Sequence, residues 1–156
     1  DVVDVALSTV LPAARRKGVT VRADLPPGLP PLFADRDKVR QVLINLLGNA
    51  VKFTDNGRIT LRARWREEGA GTPGRAFFEV EDTGQGISED EIGKLFQAFV
   101  QTESGRGAKE GTGLGLVISR QIVMLMGGDI RVMSRAGEGS CFSFDVELPR
   151  AVGAVP

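Results

Sequence analysis

NLLGNAVKF, from Asn45 to Phe53, decides how this chain is to be read. Extended outward, it predicts a helix from Asp35, a suitable N-cap, to about Thr54. On a helical projection Val39, Leu43, Leu46, Leu47, Ala50 and Phe53 share one side. Lys38, Gln41, Asn45, Asn49 and Lys52 share a narrow stripe on another. A stripe selected only for solvation is usually glutamate and lysine. Asparagine is a middling helix former, so two of them at i and i+4 need a reason. An amide oxygen suits a hard cation such as Mg²⁺, which takes oxygen ligands and keeps several waters. Lys52, one turn on, can meet a phosphate as a point charge. A plain solvated face remains the alternative for this helix taken alone.

Two further segments follow in order. DTGQGIS, from Asp82 to Ser88, comes after a strand. Gly84 and Gly86 permit positive φ and close approach of backbone to a ligand. An aspartate at a strand end can accept a hydrogen bond from an exocyclic amine such as adenine N6; alone, it is equally a capped turn. Ser88, Glu89, Asp90 and Glu91 read as the start of the next helix, with acids in its first turn and no functional role. GTGLGL, from Gly111 to Leu116, feeds directly into a helix. Helix N-termini present unpaired amides and a positive dipole end, which suits phosphate. The run is not a Walker loop, because no Lys-Ser/Thr follows, nor a dinucleotide fingerprint, because no strand precedes it. Arg106 and Lys109 lie just before it as possible phosphate contacts, or as solvated loop charges.

The rest of the chain reads as a frame around these segments. Val5 to Lys17 is an amphipathic helix with Val5, Leu7, Val10, Leu11 and Ala14 as its apolar positions, Gly18 as its stop, and Pro12 as a possible kink. Val19, Val21 and Ala23 suggest a strand, and Leu25 to Leu32 a proline-rich connector. Asn56-Gly57 is a turn signal. Ile59, Leu61, Ala63 and Trp65 alternate with Thr60, Arg62, Arg64 and Arg66, as a half-buried strand does. Ala76 to Glu81 returns beside it, with Glu79 and Glu81 able to face the arginines. Asp90 to Val100 and Leu114 to Met126 have helical periodicity. Ile130 to Ser134 and Ser140 to Leu148 form a last hairpin, with Phe142, Phe144, Val146 and Leu148 on one side. Gln101 to Gly113 carries no large apolar side chain and is expected to be mobile. The sum is an α/β two-layer sandwich, a mixed sheet with helices packed on one face.

Composition narrows the possibilities. The chain of 156 residues is long enough for one core. Its 20 basic and 20 acidic side chains cancel, which argues against a general nucleic-acid surface. No apolar run has the length of a membrane span. One cysteine, Cys141, excludes an internal disulfide framework and reads as a partly buried strand thiol. There is no histidine.

The motifs together resemble the ATP-binding catalytic domain of sensor histidine kinases, within the wider Bergerat-fold group that includes type II topoisomerases and mismatch-repair ATPases. The resemblance covers essentially the whole chain. Asn45, Asn49 and Lys52 match the N box; Asp82, Gly84 and Gly86 the first glycine box; Phe96 and Phe99, in LFQAF, the F box. Gly111, Thr112, Gly113, Leu114 and Gly115 match the second glycine box. The resemblance implies that Asp82 binds adenine N6, that Asn49 is the protein ligand of Mg²⁺ with Asn45 beside it, and that Lys52 contacts phosphate. It makes Gln101 to Gly113 an ATP lid, closed by the amides of the second glycine box and anchored by Phe96 and Phe99, two residues that are otherwise simply core.

Two departures bear on mechanism. Many members have an arginine two residues past the second phenylalanine; here it is Gln101, as in many hybrid-type kinases, with Arg106 or Lys109 as substitutes. The ATPase branch carries a glutamate at the position of Asn45 as base for the attacking water, and an amide cannot take that proton. The resemblance therefore implies transfer of the γ-phosphoryl group of Mg²⁺-ATP to a histidine on a separate helical dimerisation domain, and from there to a receiver domain. Residues 1–150 are expected to form the single ATP-binding unit, with 101–113 as lid and 151–156 as a tail, on the cytoplasmic side. The alternatives are a regulatory module that binds without catalysis, and a hydrolytic ATPase or serine kinase of the same fold.

Overall fold

The computed structural model describes residues 2–25, 36–66, 74–94 and 114–148. In chain order these form α1 (Val2–Arg16), β1 (Thr20–Asp24), α2 (Arg36–Lys52), β2 (Arg58–Arg66) and β3 (Gly74–Asp82). Then come α3 (Glu89–Lys94), α4 (Leu114–Leu125), β4 (Ile130–Arg135) and β5 (Gly139–Leu148). The five strands make one sheet in the order β1-β2-β3-β5-β4. β1 runs parallel to β2, and the other pairs are antiparallel. This is the mixed sheet that the alternation pattern predicts.

One face of the sheet is apolar and carries the helices. Ile59, Leu61 and Ala63 of β2, Ala76, Phe78 and Val80 of β3, and Phe142, Phe144 and Val146 of β5 are all buried. Phe78 and Phe144 are cross-strand partners whose rings stack at 4.9 Å between centroids. α2 lies over this face, with α1 and α4 packed beside it. It contributes Val39, Val42, Leu43, Leu46, Leu47, Ala50 and Val51 to the core. The opposite face is polar: Arg62 reaches Glu81 at 2.8 Å, the cross-strand pairing expected of those side chains. Asp145 is the buried charge of that face, held by Arg75 at 2.6 Å and Arg131 at 3.2 Å.

Several expected details are corrected. α1 starts at Val2, ends at Arg16 and passes through Pro12 without a break. Proline removes the N–H that would serve the Ser8 carbonyl, but both residues are exposed, so water can replace it. The buried stripe of α1 is Val3, Ala6, Val10 and Ala14, and Val5 is 42% exposed instead of facing the core. α2 ends at Lys52, two residues short of Thr54. Phe53, expected on the apolar side of that helix, is 41% exposed because the helix has already ended there. Asn56 takes φ 49°, the left-handed turn conformation its pairing with Gly57 signals. The helix expected over Asp90 to Val100 is described only as α3, which a capping box opens: Glu91 N–H donates to Ser88 Oγ at 3.3 Å and Ser88 N–H to Glu91 Oε1 at 3.4 Å. Residues 26–35, which hold most of the expected Leu25 to Leu32 connector and the expected N-cap Asp35, lie outside the described residues.

Candidate functional site

Asp82 is the last residue of β3 and only 5% exposed. Its Oδ1 accepts the Gly84 N–H at 2.9 Å, which folds the chain back immediately after the strand. Burial pushes the carboxyl above its usual range; the N–H groups of Gly84 and Ser140 oppose that, and Glu81 adds to it. The turn is clamped from two sides. On one, Gln85 N–H donates to the Phe53 carbonyl at 3.3 Å, and Thr83 N–H to the Arg58 carbonyl at 3.1 Å. On the other, the β4–β5 hairpin holds it: Ile87 N–H donates to Ser134 Oγ at 2.8 Å, and Gly137 N–H to the Gln85 carbonyl at 2.6 Å.

The glycines of the turn are required by contact. A Cβ on Gly84 would collide with the Phe53 carbonyl and sit 2.8 Å from Thr54 Oγ1. Gly86 has φ +73°, and a Cβ there would run into the Arg135 carbonyl. Thr54 is fully buried against this turn, and its Oγ1 is a buried oxygen without a partner among the described residues.

α2 brings the helical stripe to the same place. Asn45, Asn49 and Lys52 are each half-buried, whereas Lys38 and Gln41 further up the stripe are exposed. Asn45 Nδ2 donates to Ser119 Oγ at 2.8 Å, and Ser119 is fully buried on α4. That bond ties the first asparagine to the helix that follows the glycine run. The Lys52 ammonium lies 5.3 Å from the centre of the exposed Phe53 ring. The end of the stripe and the Asp82 turn are therefore neighbours, joined where Phe53 meets Gln85 and Gly84.

Not every candidate can be placed. Phe96, Phe99, Gln101, Arg106, Lys109, Gly111, Thr112 and Gly113 lie outside the described residues. Leu114 and Gly115 open α4, and only their backbone is described. Among the described residues, no group of three or more Cys, Asp or Glu side chains gathers to hold a metal ion. A lone amide oxygen such as that of Asn49 fits a cation that arrives with phosphate and water as its other ligands. Sequence reading passed over Phe53, Thr54, Ser119 and the hairpin residues Ser134 and Ser140. Phe53 had a signal, since it adjoins Lys52; the serines had none, because their role depends on cross-strand register.

Comparison with known proteins is decisive for the family. Residues 34–150 match the family described as histidine kinase-, DNA gyrase B-, and HSP90-like ATPase. The chain belongs to that family. It is 43% identical over 141 residues to the aerobic respiration control sensor protein ArcB of Escherichia coli (strain K12), which is 87% of this chain and 17% of ArcB. Its fold matches full-length ShkA, solved in complex with AMPPNP, with a TM-score of 0.78 and 34% identity over 97% of this chain and 30% of that one. It also matches the nucleotide-free catalytic domain of the histidine kinase ThkA, with a TM-score of 0.74 and 27% identity over 94% of this chain and 90% of that one. The chain thus spans a small part of ArcB and almost all of the ThkA catalytic domain. Within the histidine kinase-, gyrase B- and HSP90-like family it is a catalytic ATPase domain of the histidine kinase type. No helix among its described residues is long and apolar enough to cross a membrane.

Proposed function

We propose that this domain binds Mg²⁺-ATP and presents its γ-phosphoryl group to a histidine on a separate helical domain of the same kinase. The observation that carries the reading is the junction at Phe53, which joins a turn holding a buried carboxylate to a helix bearing two amides and an ammonium. Asp82 accepts the exocyclic amine of adenine. The exposed Phe53 ring, next to the turn, offers an apolar face for the base. Asn49 supplies an oxygen to Mg²⁺, Asn45 stands beside it, and Lys52 meets phosphate as a point charge. The cation bound with the nucleotide would neutralise charge on the phosphates. The protein's part is positioning, which is most of what phosphoryl transfer asks of it.

Residues 1–150 act as one ATP-binding unit. The family resemblance supports 101–113 as its lid, anchored by Phe96 and Phe99, and Gly111, Thr112, Gly113, Leu114 and Gly115 as its phosphate amides. Arg106 and Lys109 are the basic groups available where Gln101 replaces arginine. Asn45 supports transfer over hydrolysis, since an amide does not take a proton from water. Partners are the histidine-bearing helical domain and, through it, a receiver domain, on the cytoplasmic side. Calorimetric titration of ATP with and without Mg²⁺, beside Asp82→Asn, tests the reading. Binding that depends on Asp82, followed by label transfer to an added histidine domain, is the expected result. No binding by the folded parent would overturn it, and binding without any transfer would leave a regulatory module.

A further inference from the structure

Lys17 lies outside every motif discussed above and outside the residues matched by the family. It sits between α1 and β1. Its Nζ donates to the Val51 carbonyl at 2.7 Å and to the Lys52 carbonyl at 2.7 Å. It also pairs with Asp55 Oδ1 at 3.3 Å. The last carbonyls of a helix have no partner within it and form its negative dipole end, so a cation there both satisfies and attracts them. Bonds from a charged donor are about twice as strong as neutral ones.

The backbone shows that the lysine replaces a helical bond. Had α2 continued, the Asn56 N–H would have met the Lys52 carbonyl in the i→i+4 pattern. Instead the Asn56 N–H donates to the Lys17 carbonyl at 3.1 Å. Asn56 serves the backbone of Lys17, and the side chain of Lys17 serves the carbonyl that Asn56 left. Gly18 makes the approach possible: it has φ +68°, and a Cβ there would lie 2.5 Å from Asn56 Oδ1.

We infer that Lys17 is a positioning residue for the phosphate end of the nucleotide site, holding the last turn of α2 so that Lys52 stays aligned with Asn45 and Asn49. The inference rests on the nucleotide-binding reading above. The Asp82 turn at the base end has an anchor of its own in the β4–β5 hairpin, through the Ile87–Ser134 and Gly137–Gln85 bonds, which Lys17 does not touch. Loss of Lys17 therefore loosens phosphate contacts while leaving the hairpin-held Asp82 contact to the base in place.

The test titrates ATP by calorimetry and adenosine by chemical-shift change into the parent, Lys17→Met, Lys17→Arg and the exposed-charge control Arg15→Met. Methionine keeps the apolar stem and removes the donors. The ATP Kd should rise about tenfold in Lys17→Met, as when partners that orient binding groups are removed elsewhere. The adenosine Kd should stay within about twofold, arginine should restore most of the ATP affinity, and the control should match the parent. Equal losses of ATP and adenosine affinity would mark a merely structural residue and overturn the inference; so would unchanged ATP affinity. If Lys17→Met does not fold, the ATP-to-adenosine ratio in Lys17→Gln decides by the same criterion. A folded parent that binds neither ligand would instead overturn the nucleotide reading, and this inference with it.

Discussion

Asp82 is held in a conflict between its role and its surroundings. Burial raises its carboxyl above the ordinary value, so the folded chain holds that proton more tightly than the unfolded chain does. The resulting stability is fully present below the ordinary carboxylate value and is lost as pH rises through the raised one. Asp82→Asn should therefore match or exceed the parent in urea stability at pH 7, with the advantage gone below about pH 4. The same change should weaken ATP binding about tenfold or more, because a charged acceptor is lost from a buried site. A variant that loses stability and binding together at pH 7 would contradict this account. Cys141 gives a second residue-scale test. Burial, then Glu79 and Glu81, push its thiol up to about 11. Iodoacetamide should alkylate it slowly at pH 7.5 in the native chain and readily in urea. The sequence made both residues visible: a strand-end aspartate before two glycines, and a lone cysteine in an alternating strand. It did not reveal that Ser140 stands across from Asp82, because that pairing depends on the register of β3 against β5.

Two glycines separate what an element needs from what a site needs. Gly48, on the exposed side of α2, has nothing within 4 Å of a built Cβ. Gly48→Ala should stabilise the chain by about 0.5–1 kcal/mol in urea unfolding and leave ATP affinity unchanged. Gly86 has positive φ and faces the Arg135 carbonyl, so Gly86→Ala should cost about 1–3 kcal/mol and weaken ATP binding as the turn shifts. If the two behaved alike, the contact between the turn and the β4–β5 hairpin would not be what holds Asp82. Periodicity located α2 and its two faces well, because six apolar positions at helical spacing leave little choice. It misjudged the last turn: Phe53 and Thr54 lie beyond the point where Lys17 takes over the helix carbonyls. That lysine is thirty-five positions away from Lys52, and no local pattern records such a contact.

For the whole molecule, the lack of histidine sets the sharpest expectation. Incubated with Mg²⁺ and γ-labelled ATP, this chain should bind nucleotide yet acquire no acid-labile, base-stable label; the label should appear only on an added helical domain bearing a histidine. Such label on the chain alone would refute the proposed division of labour. The sequence by itself determined the family, the order of the motifs, the mixed sheet with one apolar face, and the absence of any histidine. These follow from residue type and short-range spacing, which a linear reading preserves. Only the tertiary structure decided which loops clamp the Asp82 turn, that Asn45 is tied to Ser119 on another helix, and that Lys17 caps the helix bearing the candidate phosphate ligands. Those contacts join residues far apart in the chain, and their geometry is set by strand register and helix packing, which the order of residues does not spell out.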